Sequence, residues 1–342
     1  TLAFVEKKAD GDRDFSFYRN PGADMMLRTE ELQEQILKDT RIFHFGTLSM
    51  TGDLNLTGSV MTALLSQAGN VTLSGSQLTS QRDATLASLT MTGSEAAFGN
   101  TTVAGDVSVT GGVLTTGNLT GQNLTVRDQA SVNGKTAHVA SLDAKDGTIV
   151  LDAITSDGTI LLDNTTLKGH VVSGADMIVT NAGAVTSTGA TTLDSLTMTN
   201  AEDSSFGDLT VNGNVSLTGT KLTANLVKGG DTTLSASDIT SKGTTELTSL
   251  AMTNGSNAVF GTLTIGGTFD VNGSILSANI AEAGIATVTN GGKVTSTGKT
   301  TLASLTMTDA QESSFGDLTV TGDVNLTNTK LTANLASGED VD

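Results

Sequence analysis

Apolar and polar residues alternate along most of the chain with a period of two. Near position 210, for example, Leu209 and Val211 alternate with Asp208 and Thr210. This alternation is typical of a β-strand that buries one face and exposes the other. Threonine and valine, which are frequent at such positions, suit a pleated and half-buried surface. The pattern therefore predicts many strands with an aliphatic inner face and a Thr/Ser outer face.

Tight corners interrupt the alternation after every four to six residues. Glycine or an Asn-Gly pair stands at these interruptions, as at Asn212-Gly213 and Asn272-Gly273. Asn and Gly tolerate the positive φ that a tight corner requires. Short strands that end at closely spaced corners favour a solenoid over a sandwich when a long-range repeat accompanies them.

Such a repeat is present. Phe-Gly pairs recur at intervals of roughly 54 residues, or at twice that interval, and Ser-Leu pairs lie between them at a similar period. The unit near 142–190 lacks its Phe-Gly pair but keeps the period, and the last unit stops in mid-repeat at Asp342, so we expect the chain to be a fragment. The structural repeat markers are Phe45, Phe98, Phe206, Phe260, Phe315, Leu89, Leu142, Leu196, Leu250 and Leu305.

The period of the repeat predicts the number of coils and the length of the fold. If one coil takes ~18 residues, a unit makes three coils, and the residues after position 44 make ~16 coils in a rod of roughly 75–80 Å. Identical side chains then stack in register, and stability is a sum over neighbouring coils. We expect the marker phenylalanines to fill one corner of the core in every third coil. We therefore predict an all-β fold, a parallel β-helix (β-solenoid) taken as right-handed, over residues 45–342.

Residues 1–44 read differently, as a small α/β segment. Residues 2–5 and 15–18 are predicted strands around a turn at 10–12. Residues 29–38 are a predicted helix with Thr29 as its N-cap and Glu30 and Glu31 in its first turn. Residues 42–45 return to a strand.

This segment resembles the ribokinase-like sugar kinases, and fructokinases most closely, over about the first 50 residues. The resemblance rests on Leu2-Ala3-Phe4-Val5, Asp10-Gly11-Asp12-Arg13, Phe15-Ser16-Phe17-Tyr18-Arg19-Asn20-Pro21-Gly22-Ala23-Asp24 and Ile42-Phe43-His44-Phe45-Gly46. It implies a truncated internal piece of a kinase. The family's amino-terminal Gly-rich sugar site and its carboxy-terminal Gly-Ala-Gly-Asp motif, which supplies the catalytic base, are not found here. Without them, positioning and charge stabilisation of a phosphoryl group have no basis, so we expect no enzyme.

One tripeptide resembles part of the missing Gly-Ala-Gly-Asp motif. Ala104-Gly105-Asp106 aligns with Asn212-Gly213-Asn214 and Thr321-Gly322-Asp323 in the repeats. We therefore interpret it as a turn.

The repeat array resembles passenger regions of bacterial autotransporter, adhesin and haemagglutinin-like proteins. Units such as Ser195-Leu196-Thr197-Met198-Thr199 and Asp317-Leu318-Thr319-Val320-Thr321-Gly322-Asp323-Val324 carry this likeness. It implies a structural, adhesin-like segment at the cell surface or outside a bacterium, with host or matrix glycans or proteins as partners. The open ends of a solenoid are also edges at which copies could associate.

Composition narrows the classes of function. Hydrophobic residues reach 37%, which is too apolar for a disordered chain, but aromatic residues make up only 3%. The formal net charge of −18 disfavours nucleic acid as a partner. The absence of cysteine excludes disulfides and thiolate sites. No run of residues is long and apolar enough to predict a transmembrane helix.

Several residues suggest chemistry, and for each we favour a structural role. His44, His138 and His170 have no acidic residue at a ligand spacing. Asp106, Asp157, Asp208 and Asp323 lie near glycine corners, but neither the Ca²⁺ β-roll nonapeptide nor an EF-hand loop is present. No serine stands in a nucleophile elbow between a strand and a helix, and paired carboxylates lack the aromatic platforms of a glycosidase. We therefore predict no catalytic, cofactor-binding or metal-binding residue, and no cofactor.

Two further motifs follow from the strand pattern. Thr-x-Thr, as at Thr197-Met198-Thr199 and Thr306-Met307-Thr308, could order water or bind ice, but the motif returns only once per unit. Asn-x-Thr triplets at Asn118-Leu119-Thr120 and Asn164-Thr165-Thr166 are nominal glycosylation sites.

The sequence leaves alternatives open. The chain could be a remnant of a fructokinase-like carbohydrate kinase fused to repeats, or a phage tail-fibre-like protein, which would be a trimer. The ligand, the host, the hand of the coil, the oligomeric state and whether the fusion is genuine are not determined by any residue pattern.

Overall fold

The computed structural model describes residues 2–7, 13–18 and 42–337, with side-chain burial over 49–335. The chain divides into two compact units, Thr1–Phe43 and His44–Asp342. In the first unit, two strands pair antiparallel, with Leu2 opposite Tyr18. The predicted helix at 29–38 and the predicted turn at 10–12 lie outside the described residues.

The first fourteen described strands are β1 (Leu2–Lys7), β2 (Arg13–Tyr18), β3 (Ile42–Ser49), β4 (Leu54–Thr57), β5 (Val60–Ser74), β6 (Gln77–Thr79), β7 (Ala84–Thr92), β8 (Glu95–Ala97), β9 (Thr101–Val103), β10 (Val107–Thr110), β11 (Val113–Arg127), β12 (Ser131–Lys145), β13 (Thr148–Ser156) and β14 (Ile160–Asp163). The others are β15 (Thr166–Thr180), β16 (Ala184–Thr186), β17 (Thr191–Thr199), β18 (Ser204–Val211), β19 (Val215–Thr218), β20 (Lys221–Ser235), β21 (Asp238–Thr253), β22 (Asn257–Ile265), β23 (Phe269–Asn272), β24 (Ile275–Thr289), β25 (Lys293–Thr308), β26 (Ser313–Val320), β27 (Val324–Thr327) and β28 (Leu331–Ser337).

The second unit is a parallel β-solenoid, as predicted. Strands β3 to β28 form one sheet of 26 strands that winds around the core. A residue pairs with the equivalent residue one coil later, roughly 18 positions along the chain. Leu196 thus pairs with Val215, Val215 with Thr232, and Thr232 with Leu250. Three such steps make one unit of roughly 54 residues, which confirms three coils per unit and about 16 coils in all.

One inward-facing position is buried in every coil, and we call the stack of its residues the central column. Its residues are at most 8% exposed, and only one of them, Thr232, is polar. Phe269 is the largest of them, and it lies next to the smallest, Ala286, so that the core stays filled. Burial of each Leu, Val or Ile here contributes roughly 1.5–3 kcal/mol before the entropy of ordering is counted. The column comprises Leu54, Val71, Leu89, Val107, Leu124, Leu142, Ile160, Met177, Leu196, Val215, Thr232, Leu250, Phe269, Ala286, Leu305 and Val324.

A second buried position, the Phe column, alternates one large side chain with two small ones. Phe260 pairs with Ser241 in the preceding coil, and Ala278 occupies the equivalent position in the next. The same order returns where Ser296 pairs with Phe315. A phenylalanine therefore fits in every third coil because its neighbours leave it space. The column from coil to coil reads Phe206, Ala224, Ser241, Phe260, Ala278, Ser296, Phe315 and Ala333.

The small serines of this column are buried, but their hydroxyl groups form hydrogen bonds, as Ser241 shows. The Ser241 hydroxyl accepts a hydrogen bond from the Leu226 N–H at 2.9 Å and lies 3.1 Å from the Thr245 hydroxyl. Thr245 in turn donates to the Leu226 carbonyl at 2.7 Å. Because every polar atom of this pair has a partner, its burial carries little penalty. In the unit that lacks Phe-Gly, Leu151 stands at the position of the phenylalanine and pairs with Gly134.

One corner of every coil is left-handed, with φ between 46° and 60°. Gly273 of the predicted corner belongs to this series, with φ 57°. Asn212-Gly213 does not, so a positive φ was the wrong expectation there. Instead, a Cβ on Gly213 would lie 2.7 Å from the Asp194 carbonyl oxygen, and glycine permits the coils to approach. The left-handed residues are Gly58, Gly75, Gly93, Gly111, Asp128, Asp146, Asn164, Asn181, Asn200, Gly219, Ala236, Asn254, Gly273, Asn290, Asp309 and Asn328.

Buried hydroxyls complete the backbone hydrogen bonds beside this corner. The Ser237 N–H donates to the Ser256 hydroxyl at 3.1 Å, and the Ser256 N–H donates to the Ser274 hydroxyl at 3.2 Å. The Ser274 hydroxyl donates to the carbonyl of Asn272 at 3.0 Å. The serines thus supply acceptors for buried N–H groups at the turn of the chain.

Candidate functional site

Nine of the ten repeat markers lie in the core and not on the surface of the solenoid. The five marker leucines belong to the central column, and each is at most 1% exposed. The marker phenylalanines Phe98, Phe206, Phe260 and Phe315 are 4–7% exposed. Phe45 lies in β3, where side-chain burial is not described. Contact with a partner therefore depends on the outward residues between the markers.

Acidic and amide side chains stack along one edge of the solenoid. The Asp106 carboxylate accepts hydrogen bonds from the Asn123 N–H at 3.2 Å and from the Asn123 side-chain amide at 2.8 Å. The Asn123 oxygen then accepts from the Ser141 hydroxyl at 2.7 Å. This Asp–Asn–Ser order repeats that of Asp53, Asn70 and Ser88 in the first unit of the array. The carboxylates therefore tie successive coils together.

A second stack of this kind lies at another corner. The Asn225 side-chain amide donates to the Asp208 carboxylate at 2.7 Å. A Cβ on Gly243 in the next coil would lie only 2.0 Å from the Asn225 oxygen, which has no hydrogen-bond partner. The glycine thus makes room for the amide, and its hydrogen points at the oxygen as a weak Cα–H donor.

The four candidate aspartates for Ca²⁺ are spread over the solenoid. Asp106 and Asp208 accept the hydrogen bonds just described, and Asp157 lies 3.1 Å from His138. Asp323 is exposed next to Gly322. Over the described part of the chain, no three His, Cys, Asp or Glu side chains are grouped so that they could hold a metal ion.

The histidines lie apart from one another. His138 is exposed beside Asp157, and His170 Nε2 lies 2.8 Å from the Ala190 carbonyl oxygen. His44 lies in β3. The described geometry gives His138 and His170 a polar neighbour each and brings neither of them to a nucleophile.

The kinase-like tripeptide is a corner between strands. Gly105 donates its N–H to the Ala87 carbonyl at 2.8 Å, and Gly213 donates to the Asp194 carbonyl at 2.7 Å. Added Cβ atoms would meet these two carbonyl oxygens and, at Gly322, that of Ala303, at 2.7–2.9 Å. Ala104-Gly105-Asp106 is thus the same structural feature as its repeat counterparts.

The nominal glycosylation sites belong to the stacks as well. The Asn118 oxygen accepts from the Thr136 hydroxyl at 2.9 Å. The Asn164 amide, which a glycan would occupy, donates to Asp146 at 2.7 Å. Modification of Asn164 would therefore break a contact between coils.

The sequence motifs understate one feature, an array of mostly hydroxyl-bearing side chains that stack in register from coil to coil. Thr197 pairs with Ser216 and Thr199 with Thr218, and the array continues through the last coil. We call these sixteen outward positions of the last eight coils the hydroxyl face. The Thr-x-Thr motif marks only three of these eight coils, because the other five place Ser, Ala, Asp or Asn at one or both positions. The face comprises Thr197, Thr199, Ser216, Thr218, Thr233, Ser235, Ala251, Thr253, Asp270, Asn272, Thr287, Thr289, Thr306, Thr308, Asn325 and Thr327.

Charged pairs occupy the same side of earlier coils. Arg127 forms an ion pair with Asp143, and Lys145 lies 3.4 Å from Asp163. The Asn181 side chain, which donates to Asp163 at 2.7 Å, is the main cause of a lowered pKa of this carboxyl, and Lys145 adds to it while burial opposes it. These coils precede the hydroxyl face, and the coil of Ile178 and Thr180 lies between them and the face.

Asp270 is the one charged residue of the hydroxyl face. It pairs with Ala251 on one side and Thr287 on the other. Desolvation among these neighbours raises the pKa of the Asp270 carboxyl. The ionised carboxylate is therefore less favourable here than in water.

No helix in the described residues is long and apolar enough to cross a membrane.

Comparison with known proteins confirms the sugar-kinase resemblance for a short stretch. "Probable fructokinase-5" of Arabidopsis thaliana is 50% identical over 52 residues, which cover 15% of this chain and 16% of that protein. Fructokinase-1 of Zea mays is 48% identical over 52 residues, 15% of this chain and 16% of that protein. The fructokinase of Solanum tuberosum is 49% identical over 49 residues, 14% of this chain and 15% of that protein. The chain thus spans about a sixth of the length of the curated relatives it matches.

No protein-family model matches the sequence, and no solved structure matches it. The likeness of the repeats to autotransporter and adhesin passenger regions stays a prediction. The fructokinase match covers a small part of the chain, and the bulk of the chain is a solenoid. These two findings argue against a complete kinase.

Proposed function

We propose that the protein is a structural, adhesin-like passenger segment that acts outside the cell or at a bacterial cell surface and catalyses no reaction. The observation that carries this proposal is the stack of sixteen coils, in which each coil presents equivalent outward positions. At ~4.8 Å per coil, the solenoid unit alone is about 75 Å long. Such a repeated surface suits many weak contacts with an extended partner, since linked contacts reinforce one another.

The side chains on the outer surface of the solenoid suit contact with a partner better than they suit catalysis. Acidic side chains such as Asp106 and Asp208 are engaged by amides of the adjacent coil, which holds them in a fixed array. Host or matrix glycans and proteins, which offer hydroxyl and amide groups, are the partners that such a surface fits.

Adhesion is tested by display on a non-adherent bacterium. Cells that display the full chain should adhere to surfaces coated with matrix proteins or glycans, and should resist washing. The control displays the chain with Phe260→Ala, whose surface residues are unchanged but whose coils are weakened. Adhesion no greater than that of cells without the protein, on every coating, would contradict the proposal.

A second candidate is a fructokinase-like remnant that phosphorylates a sugar, and the 50% identity over 52 residues favours it. The match extends over only 16% of the relative. A coupled assay with fructose and ATP should give no turnover above the rate without protein. Turnover that persists after a second round of purification would establish this candidate instead.

A further inference from the structure

Asn-Gly pairs are places where a protein chain can change covalently without an enzyme. The glycine nitrogen can approach the asparagine Cγ because glycine has no side chain to obstruct it, and asparagine is among the thermolabile residues of proteins. The reaction requires the asparagine side chain to turn towards the backbone of the next residue. Five such pairs lie where side chains are described, namely Asn133-Gly134, Asn212-Gly213, Asn254-Gly255, Asn272-Gly273 and Asn290-Gly291.

Hydrogen bonds hold the side chains of four of these five asparagines. The Asn254 amide donates to the Ser235 hydroxyl at 2.8 Å. The Asn290 amide donates to the Asn272 oxygen at 3.0 Å, so this one bond restrains two of the side chains. The Asn133 amide donates to the serine hydroxyl two residues before it at 3.0 Å. Each bond must break before the amide carbon can reach the next backbone nitrogen.

Asn212 is the asparagine whose side chain is free to turn. It is exposed, and its side chain forms no hydrogen bond within the described residues. The attacking nitrogen does not distinguish it from the corner sites. The Gly213 N–H donates to the Asp194 carbonyl at 2.7 Å, and the glycines after Asn254, Asn272 and Asn290 donate to carbonyls at 2.7–3.1 Å. The difference between the sites therefore lies in the amide.

We propose that Asn212 is a site of spontaneous deamidation. The Gly213 nitrogen attacks the Asn212 Cγ and loses its proton, the Cγ–Nδ2 bond breaks, and ammonia leaves. Water then opens the resulting succinimide ring. Addition of water at Cγ yields aspartate at position 212, and addition at the backbone carbonyl carbon yields isoaspartate. Nothing is oxidised or reduced, and water is the only co-reactant.

The modification should loosen the corner in which it occurs. The N–H groups of Asn212 and Gly213 donate to the carbonyls of Leu193 and Asp194 in the preceding coil, at 2.9 Å and 2.7 Å. Isoaspartate lengthens the main chain by one atom between these two donors, so both bonds cannot keep their geometry. Gly213 also lies so close to the Asp194 carbonyl oxygen that an added Cβ would be 2.7 Å from it, which leaves little space for adjustment.

Peptide mapping by mass spectrometry tests the proposal on the folded full chain, aged in a mildly alkaline buffer. Asn212 should deamidate at least about threefold faster than any of the other four asparagines, since a hydrogen bond of ordinary strength lowers the reactive population by about that factor. A methyltransferase that labels isoaspartate should label the same peptide. In the urea-unfolded chain all five sites should react at similar rates, which separates the effect of the fold from that of the dipeptide.

Asn212→Thr is the matched variant, because threonine occupies the equivalent position in Thr321-Gly322-Asp323. It should fold like the wild type and lose the label at this peptide. After ageing, the wild type alone should unfold at a lower urea concentration than before, and an equal change in the variant would contradict the predicted effect on the corner.

Equal rates at the five sites of the folded chain, or a faster reaction at another of them, would overturn the assignment of Asn212. So would an intact Asn212 in the folded chain after the unfolded chain has reacted completely. The proposal does not rest on adhesion, which is measured separately, so either can fail without the other.

Discussion

At the scale of single residues, the left-handed corner imposes the strictest conformational demand. All but one of its sixteen residues are Gly, Asn or Asp, which tolerate a φ near +50°. The exception is Ala236, with φ 49°. An alanine in this region is strained because its Cβ approaches the following carbonyl oxygen.

We therefore expect Ala236→Asn to stabilise the solenoid by ~0.5–1 kcal/mol, because asparagine adopts this conformation at lower cost. Urea unfolding followed by circular dichroism measures the change. Ala303→Asn is the matched control, since Ala303 is also exposed but does not have a positive φ. An equal effect of both substitutions would show that strain at the corner is not the cause.

Two carboxylates of one side of the solenoid should respond oppositely to pH. The pKa of Asp163 is lowered from its ordinary value of 3.8, chiefly by the Asn181 amide, so Asp163 contributes stability above that value and loses it as the pH falls through the lowered pKa. The pKa of Asp270 is raised by desolvation, so its ionised form costs stability at pH values above the raised pKa, and protonation removes that cost.

At pH 7, Asp163→Asn should therefore lower the free energy of unfolding and Asp270→Asn should raise it, each by no more than about 1 kcal/mol because solvent screens both groups. As the pH falls, the difference for Asp270 should shrink first, because its pKa is raised above 3.8, and the difference for Asp163 should shrink only at a pH below 3.8. Unfolding curves at several pH values measure this. Differences of the same sign at pH 7 would contradict the assignment.

At the scale of the element, sequence reasoning predicted the strands and their stacking but not the volumes within the stack. The Phe-Gly marker returns every third coil, yet the reason is found in the residues of the other two coils, Ser241 and Ala278, which no marker singles out. Likewise, the sequence did not predict the left-handed corner, because Gly, Asn, Asp and Ala share no sequence motif. Only the backbone conformation shows that these residues occupy one equivalent position in successive coils. Asn212-Gly213, which has the motif, lacks the conformation.

Loss of the large side chain should weaken its element locally. Phe260→Ala leaves Ser241 and Ala278 around an empty volume, and we expect a cost of ~3–5 kcal/mol. Val259→Ala is the control, because Val259 is the neighbouring residue of the same strand but is 39% exposed. Differential scanning calorimetry should show a lower transition for the first variant alone. A similar loss in both would mean that strand propensity, and not core volume, decides stability here.

At the scale of the whole solenoid, the three-coil unit is the quantity that the sequence defined best. The spacing of roughly 54 residues between markers corresponds to three pairing steps of roughly 18 residues each. The hydroxyl face was harder to predict. Its columns mix Thr, Ser, Ala, Asn and Asp, and the array becomes visible only when equivalent residues of successive coils are brought side by side.

If stability is a sum over neighbouring coils, a whole unit can be removed without loss of register. Deletion of one unit, from Thr197 to Leu250, joins Leu196 to Ala251, so that Phe269 stacks on Leu196 in place of Leu250. In the Phe column, Phe260 then follows Ser187, a buried serine like its present neighbour Ser241. We expect this variant to fold with strand content per residue unchanged and with a maximum dimension shorter by about 14 Å in small-angle scattering.

Deletion from Thr197 to Ser241, which removes two and a half coils, is the matched control. It brings outward positions of one strand beneath inward positions of the next, so polar residues would have to enter the core. That variant should aggregate or unfold at lower urea concentration. If both deletions folded equally well, the coils would not depend on the register of their neighbours, and the additive view of this solenoid would fail.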